Sequence, residues 1–517
     1  IAANPSPKPS VAQVAEGDPC QKMGQQVKSG SILLECRKFS GNILQYIAIA
    51  NDFSPLINPE SPDSLSLCQL SDKRTVIPVE LQNNIPLAIA YPPKPFPNFG
   101  SATGNFKIVV VGIDFSNAPG KGSPSDLWRE DLTKASDWMT WYTNGKVKLD
   151  FVTYPEWLRA PKPSYSYDTT NNGARGPEVV QSGGLTQQQI SDDYIHTIEK
   201  TADLTNALSI WVYLPTDITT PFGAFQPASA GIQSVKYGFV KSQLVVTSAD
   251  MYLSNRIRYS YFLHEMIHGF GLQGHSSKFI PTGGFLNKNG IMSNADGWNQ
   301  ALLPWDAIVW GVATAADTYC IDKSHLTNVD LKLVPLEREQ KGLRSAIIRL
   351  NDHQALVVES HRSDKYGVGE GAGFAGAMVT IIDTTKSTSF ENENSPRDPC
   401  ITSTGIYLRV EGGNHGKHEA IGTPLMRNGQ NYNGVTMYNG ISIAGDQDNW
   451  DLNHIMYPGD SISAAGVKIT LIKGGDNDVV RLEVVDRSVN EYIQAPVAPE
   501  CLARLIPISQ SSSGTHS

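Results

Sequence analysis

Residues 256–275 read RIRYSYFLHEMIHGFGLQGH, and the expected fold of the middle of the chain turns on them. As far as Phe270 the stretch has no Pro and one late Gly, while Tyr261, Leu263, Ile267 and Phe270 give it an apolar side, so the spacing predicts a helix packed on a sheet. Three of the chain's eleven histidines fall in its last twelve residues. On a helix, residues four apart project from one face, so His264 and His268 can present imidazole nitrogens to one metal ion. Glu265 lies about 100° further round, close enough to reach a water at that ion without being a primary ligand. A straight helix cannot bring a third donor to the same place. Gly271, which reaches left-handed backbone angles cheaply, lets the chain turn back, and His275 lies a few residues beyond. Three imidazoles with a fourth position left for water is the pattern of a catalytic zinc site, with Glu265 as its general base.

Working outward, residues 107–115 (KIVVVGIDF) form an unbroken apolar run suited to a buried strand. A helix is expected from near Ser125, with an apolar stripe of Leu127, Trp128, Leu132, Ala135, Trp138, Met139 and Tyr142, ended by Asn144 and Gly145. A strand VKLDFVTY (147–154) follows. Thr186 with Gln189 is a capping box, and Ile190, Tyr194 and Ile198 recur every four residues behind it. Residues 207–214 (ALSIWVYL) return to strand. Such alternation predicts an α/β sheet with helices packed on it, spanning 104–320.

After residue 320 helical spacing gives way to short β-rich runs: LKLVPLE, SAIIRL, ALVVES, AMVTIID, GIYLRV, VKITLI and VVRLEVV, most separated by turn signals. An antiparallel β-sandwich over 321–490 is expected. Residues 1–16 read as a Pro-rich linker, like a segment that follows a signal peptide. Residues 17–55 read as a small two-stranded module stapled by Cys20 and Cys36. Residues 56–103 read as a connector or propeptide remnant, and 491–517 as a surface tail.

The six cysteines contain no CxxC pair, which suits disulfides in an oxidising compartment better than a thiolate-bound metal. Proximity favours Cys20 with Cys36; Cys400 with Cys501 and Cys68 with Cys320 complete one of several possible schemes, and reduced buried thiols are the alternative. A net charge of -9 argues against nucleic acid or anionic lipid as partner. The longest apolar stretch, 301–316, is broken by Pro304 and Asp306 and is too short to span a bilayer.

The segment H-E-x-x-H-x-x-G-x-x-G-H followed by Met292 in GIMSN resembles the metzincin signature with its Met-turn. The flanking runs KIVVVGIDF, DWMTWYTNGKVKLDF, LLPWDAIVWG, ALVVESHR and GVKITLIKGGDNDVVRLEVV resemble the secreted bacterial metallopeptidases related to immune inhibitor A and, more loosely, gametolysin. This resemblance covers about residues 104–487. It implies a zincin-type catalytic domain followed by a β-sandwich, a resident zinc ion, a polypeptide substrate, an extracellular bacterial setting, and Met292 as a hydrophobic base beneath the metal. Two positions depart from the pattern. The third metzincin ligand would fall at Gly274, so His275 needs a one-residue bulge, and no Tyr directly follows Met292.

Other polar clusters carry plainer expectations. Glu359, His361 and Arg362 suggest a structural ion pair. His415 and His418 suit a solvated loop, and Asp476, Asn477 and Asp478 a tight turn rather than a calcium site. An extended substrate is expected to pair with an edge strand within 230–248. The rival reading is a catalytically inactive secreted binding or adhesion protein on a metallopeptidase scaffold, which would hold zinc weakly or not at all.

Overall fold

The computed structural model describes Val14 and residues 18–22, 25–29, 32–39, 43–49, 58–73, 88, 90–95, 99–168, 185–219, 221, 232–240, 242–253, 258–272, 279–280, 284–285, 290–292, 300–362, 364–367, 376–385, 422–424 and 455–492. Within them the chain is a mixed α/β protein, richer in strand than in helix.

Strand β1 (Gly104–Asp114) sits inside a four-stranded sheet with β2 (Val147–Arg159), β3 (Ala207–Tyr213) and β4 (Gln243–Val246). The order is β2-β1-β3-β4 and every pair is parallel. Along β1, Ile108 and Val110 enter one apolar cluster while Val109, Val111 and Ile113 enter another. A strand covered on both faces needs apolar residues at consecutive positions, which is why its sequence does not alternate.

Parallel neighbours require crossovers, and two helices supply them on opposite faces. Helix α1 (Ser125–Tyr142) connects β1 to β2 and buries Trp128, Leu132, Ala135, Trp138, Met139 and Tyr142, as the stripe predicts, with Leu127 only partly covered. Asn144 and Gly145 follow it at φ 53° and 71°. Helix α2 (Gln187–Ile198) connects β2 to β3 and packs Ile190, Tyr194, Ile195 and Ile198 on the other face. Its capping box is formed: Gln189 N–H donates to Thr186 Oγ1 at 3.2 Å and Thr186 N–H to Gln189 Oε1 at 2.9 Å.

In the second half, Thr318–Asp322, Ser345–Arg349, Gln354–His361, Gly376–Asp383, Gly422–Pro424 and Ile455–Met456 form one sheet. Val329–Leu333, Asp478–Val484, Val467–Lys473 and Ser461–Ala464 form a second. Pairing is antiparallel throughout, except between Thr318–Asp322 and Ser345–Arg349. Both sheets give side chains to one core, including Ile348, Leu356 and Val358 from the first and Leu331, Ile469 and Leu482 from the second. The expected run GIYLRV lies outside the described residues.

Near the N-terminus three antiparallel strands are found, Gln26–Ser29, Ile32–Phe39 and Ile43–Ile49, where two were expected. The extra strand is four residues long and carries too little apolar pattern to be read alone. Cys20–Cys36 staples this unit, and Cys68–Cys320 ties the connector to the first strand of the second half. Cys400 and Cys501 lie outside the described residues. Beside Cys68, Ser61 Oγ accepts from Cys320 N–H at 3.1 Å and Asp63 Oδ2 from Asp322 N–H at 2.7 Å. Among the described residues no helix is long and apolar enough to cross a membrane.

Candidate active site

Helix α3 (Arg258–Gly269) lies on the same face of the sheet as α1. Phe262 stacks on Trp211 of β3 with ring centroids 4.6 Å apart, and Leu263, Met266 and Ile267 complete the buried side. Its first turn is fastened by Arg258, whose Nε donates to Asp131 Oδ2 of α1 at 2.9 Å, an oxygen that also accepts from Tyr213 Oη at 3.2 Å. Burial raises the Asp131 carboxyl above its usual range against the pull of Arg258. The far end of α3 is tied to the sheet by Gln243, the first residue of β4, whose Nε2 donates to the Glu265 carbonyl at 3.2 Å. Phe270 and Gly271 N–H close the last turn on Ile267 and His268 carbonyls at 3.0 and 2.9 Å, and Gly271 then takes φ 92°, the turn its sequence position predicts.

His264 and His268 project from one side of α3, their rings at 84° and their centroids 4.7 Å apart. Each Nδ1 faces a backbone carbonyl, that of Ile291 for His264 at 2.6 Å and that of Leu272 for His268 at 3.4 Å. A neutral imidazole that donates through Nδ1 keeps its lone pair on Nε2, the tautomer that binds metal. The two Nε2 atoms face each other at 3.2 Å. Burial pushes His264 down to about 4; burial, together with His264 beside it, pushes His268 down to about 3, so both rings are neutral near pH 7.

This geometry tests whether zinc fits. Two nitrogens bound to one tetrahedral zinc at the usual 2.0–2.1 Å stand about 3.3 Å apart, and the observed Nε2 separation is 3.2 Å. The donor type, the tautomer and the spacing therefore suit the ion.

Met292 is buried in the cluster that holds Leu263, Met266 and Ile267. The residue before it, Ile291, carries the carbonyl that faces His264, and its own N–H donates to Ala301 O at 2.8 Å. The Gly290–Met292 segment thus lies against the first histidine. Glu265 is half-buried on α3. His275 lies outside the described residues, and among the described residues no group of three or more His, Cys, Asp or Glu is placed to hold a metal. Two of the three expected donors are brought together here.

Sequence reasoning missed the Ile291 carbonyl, the Gln243 amide and the Asp131–Arg258 pair. Asp131 had left a signal, a carboxylate next to Leu132 within an apolar stripe. The Gln243 and Ile291 contacts, with partners 22 and 27 residues away, left none.

The strand expected to dock substrate is described in part. β4 closes the sheet order with all four residues buried, and a hairpin of Ile232–Ser234 and Gly238–Val240 precedes it. In the second half the ESHR run forms the expected ion pair, His361 with Glu359, and adds partners from distant segments. His361 donates through Nδ1 to Glu337 at 2.6 Å and through Nε2 to Glu359 at 3.1 Å, whereas Arg362 pairs with Asp478 at 2.6 Å. Burial alone would lower His361, but Glu337 and Glu359 raise it to about 10. Asp478 begins a strand as well as ending a turn. His415 and His418 lie outside the described residues.

No protein-family model and no curated protein matches the chain. Among solved structures, the C-terminal lobe of a budding yeast Argonaute aligns over 93% of this chain and 85% of that chain, at 9% identity and a TM-score of 0.19. A superposition that loose carries no argument about fold or function.

Proposed function

We propose that the chain is a secreted zinc-dependent endopeptidase with a zincin-type catalytic domain followed by a β-sandwich. The observation that carries this reading is the pair of neutral, carbonyl-oriented imidazoles whose Nε2 atoms stand 3.2 Å apart on one helix. His264, His268 and His275 are the residues that would hold the ion, with Met292 in the apolar cluster that carries α3. When bound, zinc supplies Lewis acidity, making water a nucleophile near neutral pH and polarising a carbonyl. Glu265 takes a proton from the attacking water on a carboxylate oxygen and returns it to the departing amine, the exchange that amide hydrolysis needs. Gln243, by holding the Glu265 carbonyl, sets where that residue sits along the sheet. The substrate is an extended polypeptide. The two disulfides suit an oxidising, extracellular setting.

The test is cleavage of a denatured protein such as casein by wild type, by wild type with a chelator, and by Glu265→Gln. Chelation should abolish cleavage, and Glu265→Gln should lower kcat by about 10²–10⁴-fold, the range for losing a general base, while leaving bound zinc unchanged. Equal cleavage in all three would overturn the reading, and absence of both zinc and cleavage in the wild type would favour the inactive binding protein.

A further inference from the structure

Ala88, Lys94 and Phe99 precede β1 in the chain, yet all three meet the turn that ends α3. Ala88 N–H donates to the Gly271 carbonyl at 2.8 Å, and Ala88 forms a parallel bridge with Leu272. A Cβ at Gly271 would stand 2.2 Å from the backbone carbon and oxygen of Lys94, and one at Gly269 would stand 2.1 Å from the Phe99 ring. That ring meets Phe270 edge-on at 5.0 Å. The segment is itself anchored: Tyr91 N–H donates to Leu70 O at 3.0 Å, and Cys68, two residues before Leu70, is bonded to Cys320. The turn it touches carries the Leu272 carbonyl, which faces Nδ1 of His268.

We propose that Ala88, Lys94 and Phe99 form a positioning strap of the site, moulding the turn Gly269–Leu272 and thereby aiming the Leu272 carbonyl that orients the His268 imidazole. Groups that orient a metal-binding histidine through its other nitrogen change metal affinity by about 10–100-fold when lost. The strap acts from outside the parallel sheet, and it makes the connector a working part of the site rather than a remnant to be discarded. Neither Gly269 nor Gly271 can bear a side chain while the strap is in place, so the two glycines and the strap form one device.

This inference rests on the zinc reading of His268, and the experiment separates the two. On the full chain with disulfides intact, amide hydrogen exchange over residues 266–272 and zinc affinity by competition with a chromophoric chelator would be measured for wild type, Phe99→Ala and Ala88→Pro, the last deleting the donated N–H. Phe99→Leu, which keeps apolar volume, replaces either variant that fails to fold. The expected result is exchange at least tenfold faster at Phe270 and Gly271, unchanged exchange in β3, and zinc affinity lower by about 10–100-fold. Exchange like wild type overturns the strap, as does faster exchange with zinc affinity within twofold of wild type. If the wild type takes up no zinc, the function reading fails, and the exchange data alone then decide whether the strap shapes the turn.

Discussion

The chemistry of single residues here is set by burial. His264 and His268 are kept neutral by the apolar side of α3, which suits them as donors. The same force acts in the opposite sense on Asp306, on the helix Pro304–Trp310, where burial and the nearby Glu359 carboxylate push the carboxyl up from 3.8 to about 8. Its Oδ2 has no hydrogen-bond partner among the described residues. A carboxyl whose folded value lies above its unfolded one holds its proton longer when folded, so the stability it gives is present at low pH and is lost as pH rises from about 4 through about 8. Asp306→Asn, neutral at every pH, should flatten this slope: its melting temperature relative to wild type should climb between pH 5 and 9. An unchanged difference across that range would show that Asp306 does not titrate there.

At the scale of elements, α3 is held by ring stacking as well as by the Arg258–Asp131 pair, because the buried Phe262 lies against Trp211 and Tyr213. Phe262→Ala should cost about 3–5 kcal/mol, the usual range for a buried Phe, read as a lower denaturant midpoint at unchanged slope; a loss below 1 kcal/mol would mean that the helix is held mainly by its end contacts. Elements with a strong local pattern were legible in the sequence. The α1 stripe, the Thr186–Gln189 capping box, the continuous apolar β1 and the left-handed Gly271 all follow from residue spacing and appear as expected. Within the site, spacing alone brings His264 and His268 together, since a helix fixes the relation between residues four apart. What spacing cannot show is a partner supplied by a distant segment. Arg362 chooses Asp478, 116 residues on, over its neighbour Glu359, because the second sheet brings that carboxylate to it. The parallel pairing of Thr318–Asp322 with Ser345–Arg349 and the third N-terminal strand are likewise decided by neighbours in space.

Across the whole molecule the two halves are in direct contact. Tyr142 of α1 donates to Leu336 O at 2.7 Å, and Gln300 N–H donates to Tyr366 O at 2.7 Å, so Leu336 and Tyr366 belong to the same core as α3. Cys68–Cys320 closes the connector onto the second half across 252 residues. Closing so long a loop constrains the unfolded chain, and removing such a bond typically costs about 2–5 kcal/mol. Cys68→Ala with Cys320→Ala should therefore lower the unfolding free energy by that amount, whereas unchanged stability would place the bond outside the cooperative unit. The net charge of the whole chain argues against a general polyanion partner.

The most direct measurement is the zinc retained per chain after gel filtration, determined by elemental mass spectrometry for wild type, His264→Ala and His268→Ala. One zinc per wild-type chain and none in either variant is the expected result. Wild-type protein that keeps no zinc, or variants that keep as much as the wild type, would contradict the assignment of these two imidazoles as its ligands.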